Sequence, residues 1–131
     1  MKQNIAGISL VVRDYDEAIK FYCEKLEFRL LEDTDRGGGK RWVVIAPPGS
    51  EGTTVLLAKA VTESQQNSIG NQTGGRVFLF LHTDDFWRDY KRMKLCGVKF
   101  IEEPREELFG TVVIFEDLYG NKWDFIEPKK E

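Results

Sequence analysis

Ile8-Ser9-Leu10-Val11-Val12-Arg13-Asp14-Tyr15-Asp16-Glu17-Ala18-Ile19-Lys20-Phe21-Tyr22 is the stretch on which the fold turns. Ile8, Leu10 and Val12 alternate with Gly7, Ser9 and Val11, the period of two that gives a strand two different faces. Asp14 then offers a side-chain oxygen where a helix leaves its first amides unpaired, and Glu17 three residues on completes a capping box. Tyr15, Ala18, Ile19, Tyr22 and Leu26 follow at helical spacing.

Working outward, Phe28, Leu30 and Leu31 begin a second strand, Gly37-Gly38-Gly39 marks a turn, and Lys40 to Ala46 forms a third strand that Pro47-Pro48-Gly49 ends. Thr53 to Ala58 is a fourth. The order is β-α-β-β-β, and it returns after a polar connector. Val77 to Thr83 is a strand, Asp85 caps a helix carrying Phe86, Tyr90 and Met93, and Gly97 ends that helix. Val98 to Glu102 and Thr111 to Phe115 are strands, and Asp117 to Asn121 turns into the last, Lys122 to Ile126. Asp14 falls on Asp85, Tyr15 on Phe86 and Phe28 to Glu32 on Val98 to Glu102, a repeat of about 70 residues that keeps element order, cap position and side-chain parity. The sequence therefore predicts one α+β domain over residues 1–131. Its parts are a first βαβββ module over 5–60, a connector over 61–75 and a second module over 76–128.

Composition narrows the partners. The chain has 131 residues and a formal net charge of −3 with acids and bases interspersed, so there is no basic footprint for nucleic acid. No apolar run approaches the ~18 residues of a membrane span, and Met1 to Asn4 lead into a strand without a leader pattern, which predicts a cytoplasmic protein. Cys23 and Cys96 are isolated thiols and read as reduced, partly buried residues. A small molecule or a second copy of the chain is the partner to expect.

The face packed under the helices should be the uniformly apolar one, because a buried polar group without a partner costs free energy. Ile8, Leu10, Val12, Val55, Leu57, Leu79, Leu81, Trp123 and Phe125 form that set. The opposite parity mixes Gly7, Ser9, Val11, Leu56, Ala58, Phe78, Phe80, His82, Asp124 and Ile126, the composition of a cavity lining.

Ile8 to Tyr22 resembles the opening strand and helix of the vicinal oxygen chelate superfamily of glyoxalases, bleomycin-resistance proteins and extradiol dioxygenases. Glu116-Asp117-Leu118-Tyr119-Gly120-Asn121-Lys122-Trp123-Asp124-Phe125-Ile126 resembles its closing turn and last strand. The resemblance implies two tandem βαβββ modules forming a half-barrel of mixed sheet with helices outside, the modules often pairing across a homodimer. It also implies four metal-ligand positions, which fall on Gly7, Leu56, Phe78 and Asp124. Three of these have no donor atom, and one carboxylate does not hold a transition metal that wants three or four convergent N or O donors. No metal or other cofactor is expected; a displaced set of His82, Glu103 and Asp124 is the alternative.

Ser9, Trp42, Leu56, Arg76, Phe78, Phe80, His82 and Asp124 are the candidate ligand-binding residues. His82, the single histidine, is the natural proton carrier at neutral pH, or else it bonds a nearby carboxylate or the helix start. Asp124 can orient a ligand donor or act as a base, or else pair with Lys122 or Arg76. Trp42, Phe78 and Phe80 can stack on a planar ligand or pack as core. Arg76 can hold an anion or stand solvated, and Glu103 to Gly110 is a charged loop, a lid or a plain connection. The chain is expected to bind a small organic molecule in a metal-free cavity. The alternative is a lyase, isomerase or glyoxalase-like enzyme using His82 and Asp124.

Overall fold

The computed structural model describes residues 1–130, which divide into two compact units, Met1–Ile69 and the chain from Gly70 onward. In the first unit, β1 (Gly7–Val12), α1 (Tyr15–Lys20), β2 (Arg29–Gly37), β3 (Lys40–Ala46), β4 (Thr54–Lys59) and α2 (Glu63–Ser68) follow one another. A π-helical turn, Phe21–Lys25, prolongs α1. Asp14 caps α1 by accepting the Glu17 amide at 2.9 Å, while the Glu17 carboxylate meets Arg13 at 2.8 Å. The strands lie in the order β1-β4-β3-β2, with β1 parallel to β4 and the other neighbours antiparallel. Parallel pairing of the first and last strands requires a crossover, which the intervening helix and hairpin supply. Leu10, Val12, Val43, Ile45, Val55 and Leu57 are buried together with Tyr22 and Ala18 of the helix.

The second unit repeats the plan with β5 (Val77–His82), α3 (Phe86–Leu95), β6 (Lys99–Phe100), β7 (Arg105–Glu107), β8 (Gly110–Glu116) and β9 (Lys122–Pro128). Its order is β5-β9-β8-β6, β7 also pairing with β8, and β5 runs parallel to β9. Asp85 accepts the Arg88 amide at 3.2 Å, the cap that matches Asp14. Phe86 stacks on Tyr90 with ring centroids 5.6 Å apart and leans on Phe125 at the same distance, so the core here is aromatic. The turn into β9 is fastened by Asp117, which accepts the amides of Tyr119 and Asn121 at 2.9 Å each and the Asn121 side-chain amide at 2.9 Å. Asp117 and Asn121 are the buried polar residues of the chain among those described, and each satisfies the other.

Three features depart from the sequence reading. The polar connector holds α2, whose Thr62 hydroxyl accepts the Gln65 amide at 3.2 Å while the Gln65 carbonyl oxygen accepts the amides of Val61 and Thr62, a capping box. The stretch Glu103 to Gly110 is not an open loop: Arg105–Glu107 pairs with Gly110–Val112 as a hairpin arm. The β5-β9 register slips by one residue between Val77 and Leu79, a bulge that leaves Phe78 as the extra residue. No helix among the described residues is long and apolar enough to cross a membrane.

Candidate functional site

The first unit carries a recess lined by β3 and β4. Strands β3 and β4 pair only from Val43 opposite Leu57 to Ile45 opposite Val55. Beyond the first of these rungs they part, and a cleft of ≈ 550 Å³ opens between them. Val11, Leu56, Ala58 and Trp42 give it an apolar floor, and Lys40, Lys59, Thr62 and Gln65 stand around it. Ser9 and Leu56 are neighbours across the β1-β4 ladder, as are Val11 and Ala58, so all four share the face turned away from α1. Trp42 is 38% exposed, and the Arg36 guanidinium lies over its ring at 5.7 Å. Arg41 is spent elsewhere: it meets Asp33 at 2.7 Å and Asp16 at 2.9 Å, and its amide donates to the Tyr15 hydroxyl. Its guanidinium holds the Asp33 carboxyl below the usual carboxylate range.

On the second unit, Asp124 sits in the middle of the sheet between Phe80 of β5 and Ile114 of β8. Its Oδ1 is buried and accepts no hydrogen bond. Burial pushes its carboxyl above the usual range, Arg105 opposes this, and Glu102 adds to it. Glu102 is held in place, accepting from Arg105 at 3.0 Å and from the Ile114 amide at 3.2 Å, and Arg105 also meets Glu107 at 2.6 Å. Phe80 beside Asp124 is 66% exposed. A buried carboxyl oxygen without a donor is costly, and it marks a place where a proton or a ligand donor fits.

The remaining candidates are scattered. His82 faces Ile126 at the exposed end of β5, a diagonal neighbour of Asp124 with no hydrogen bond between them. The helix start that His82 was expected to serve is instead bonded by Asp85 and by Glu127, which accepts the Phe86 amide at 2.8 Å. The bulge turns Phe78 toward the core side, edge-on to the buried Trp123 at 6.1 Å, so Phe78 does not share a floor with Phe80. Arg76 lines a recess of ≈ 20 Å³, room for about one water and not for an organic ligand. Asp124 pairs with neither Lys122 nor Arg76; Lys122 donates to the Gly75 carbonyl at 3.2 Å. Arg105, Glu102, Lys40, Lys59 and Gln65 escaped the sequence reading. Only Gln65 had a local signal, its spacing of three from Thr62.

The four positions at which the resemblance implies metal ligands do not fit an ion. Gly7, Leu56 and Phe78 carry no donor, and among the described residues no three His, Cys, Asp or Glu side chains converge as ligands, so His82, Glu103 and Asp124 do not assemble one. Cys23 and Cys96 are free thiols, and burial, with Glu24 beside it, pushes the Cys23 thiol up and away from thiolate chemistry.

Two βαβββ units, each a mixed sheet backed by a helix, the second closed by the Asp117-x-x-Gly120-Asn121 turn, define a glyoxalase-type fold. The chain belongs to the Glyoxalase/Bleomycin resistance protein/Dioxygenase superfamily, whose family model matches residues 4–125. It is 61% identical over 128 residues to an uncharacterized protein of Shewanella frigidimarina (strain NCIMB 400), covering 97% of this chain and 95% of that one. Among solved structures it is similar to UcmS2, with 27% identity, 97% and 99% of the two chains covered and a TM-score of 0.84. It is also similar to TnmS3, an antibiotic binding protein from Streptomyces sp. CB03234, with 28% identity, 98% of each chain covered and a TM-score of 0.77.

Proposed function

We propose that this protein binds a small, partly aromatic organic molecule without a metal, and that it does so as a homodimer. The observation that carries the reading is the cleft between β3 and β4: at ≈ 550 Å³ it falls in the range of ligand sites, about 300–1,000 Å³, and Trp42 presents its ring there. The likeness to an antibiotic binding protein supports binding over turnover. Leu56 belongs to the apolar floor, and Ser9, opposite it on β1, offers a hydroxyl beside that floor. Large side chains left in water, Phe80, Leu108 and Phe109 among them, support burial against a second copy. Titration of the neutral dye phenylnaphthylamine tests the cleft: Trp42→Ala should weaken its binding about tenfold, the loss of one stacked ring and its buried area. Binding that ignores this substitution sinks the reading. Sedimentation equilibrium at micromolar concentration should return the mass of two chains, and a monomer would remove the homodimer from it.

A second reading, an enzyme of the lyase or isomerase kind, is favoured by one observation, the Asp124 oxygen that is buried without a hydrogen bond. In it, Asp124 carries the proton, and His82, one diagonal step away, relays it to solvent.

A further inference from the structure

The floor and the rim of the cleft differ in chemistry. The floor is apolar and aromatic, made by Val11, Leu56, Ala58 and Trp42. Around it, the polar groups on offer are donors. Lys40 and Lys59 stand on the two diverging strands, exposed, and neither enters an ion pair among the described residues. Gln65 has its carbonyl oxygen occupied by the amides of Val61 at 2.8 Å and Thr62 at 3.3 Å, so its NH2 group is what it can present. Thr62 already accepts the Gln65 amide at 3.2 Å, which leaves its hydroxyl proton to give. The third cation of the lining, Arg41, is neutralised by Asp33 and Asp16. No aspartate or glutamate lines the cleft, although the chain as a whole has a net charge of −3.

We infer that this cleft selects a planar aromatic molecule carrying a negative charge, its ring against Trp42 and its anionic group held by Lys40, Lys59 and the Gln65 amide. The inference rests on the small-molecule reading above and adds the class of ligand. A ring alone gains stacking and apolar burial, which any planar compound obtains. An anion on that ring also gains two ammonium groups that no protein carboxylate occupies, and it meets no carboxylate of the lining to repel it. A cationic aromatic meets the opposite field and is disfavoured.

Anilinonaphthalene sulfonate and phenylnaphthylamine share their rings and differ by the sulfonate, so the pair isolates the charge. Titrated into the full chain, the sulfonate should bind once per chain and about tenfold more tightly than the neutral dye, an effect in keeping with two exposed charges, and added salt should narrow the gap. The double variant Lys40→Gln, Lys59→Gln should cost the sulfonate about the same factor and leave the neutral dye unchanged. Either single variant should show part of that loss, which keeps the test decisive if the double variant folds poorly. Equal binding of both dyes through Trp42, or indifference of the sulfonate to the lysine variants, overturns the anion preference while the cleft stands. If Trp42→Ala alters neither dye, the small-molecule reading fails, and this inference with it.

Discussion

The two units share one plan and have put their chemistry in different places. In the first, the second strand of the plan is β2, nine residues without a break, and its sheet parts at the β3-β4 end to leave a cleft rimmed by donors. In the second, the equivalent strand is broken into β6 and β7 around Pro104, and the break brings Arg105 and Glu102 beside a half-buried carboxyl on β9. The cores diverge as well, aliphatic strands under one helix and a run of stacked rings under the other. A duplicated frame keeps what its hydrogen-bond ladders need, the caps and the strand order. Strand ends and edges, where no ladder constrains the side chain, are free to differ.

The sharpest way to break that comparison is at the matched first residues of the two helices. Phe86 is fully buried among Trp87, Tyr90 and Phe125, and Phe86→Ala should cost about 4 kcal/mol, the usual loss for a ring removed from a core. Tyr15, its counterpart, adds a hydroxyl that accepts the Arg41 amide at 3.1 Å, and Tyr15→Phe should cost only about 1 kcal/mol. Urea denaturation measures both, and equal losses would show that the rings do not set the two cores apart.

The shared part of the plan makes a smaller prediction. Asp14→Ala and Asp85→Ala should each cost about 1 kcal/mol in the same measurement, since each removes one N-cap acceptor. A loss at one cap and none at the other would mean that the repeat is kept in sequence but not in energetics.

The smallest effect concerns pH. The folded-state pKa of Asp124 lies above the ~3.9 of an unfolded aspartate, so the folded chain binds that proton more tightly and stability falls as pH rises from ~3.9 through the raised value. Asp33 behaves oppositely: its pKa is lowered by the Arg41 hydrogen bond, so its contribution is full above ~3.9 and is lost as pH falls through the lowered value. Asp124→Asn should flatten the upper window and leave the lower one alone. Urea midpoints between about pH 3 and pH 7 read this directly, and an unaltered slope above ~3.9 would mean that burial does not raise the Asp124 carboxyl.

The strands and long helices of both units were legible in the sequence because alternation and caps are local signals. Leu10, Val12, Leu57 and Phe125 are buried as their parity required. The bulge at Phe78 was not legible: nothing in Val77-Phe78-Leu79 distinguishes a regular strand from one with an extra residue, and the slip is set by what β9 offers across the ladder. Helix α2 was hidden by composition, since Glu63–Ser68 has no apolar stripe, although its capping box was present to be read. Arg105 beside Asp124 was out of reach for a different reason. The contact depends on β7 pairing back onto β8, a non-local event that charge alternation alone does not specify.

Strand β2 has one more consequence. It lies at the margin of its sheet, all nine residues are exposed, and Arg29, Glu32, Asp33, Asp35 and Arg36 crowd it with charge around Leu30 and Leu31. Such a margin would accept a strand from any passing chain if it were flat and neutral, so these charges act as gatekeepers against aggregation. The Arg41 guanidinium keeps the Asp33 carboxyl charged below the usual carboxylate range, so this charge on the margin persists into acid. Stripped of these charges, the chain would present Leu30 and Leu31 on an open edge, the arrangement from which strand-to-strand assembly grows.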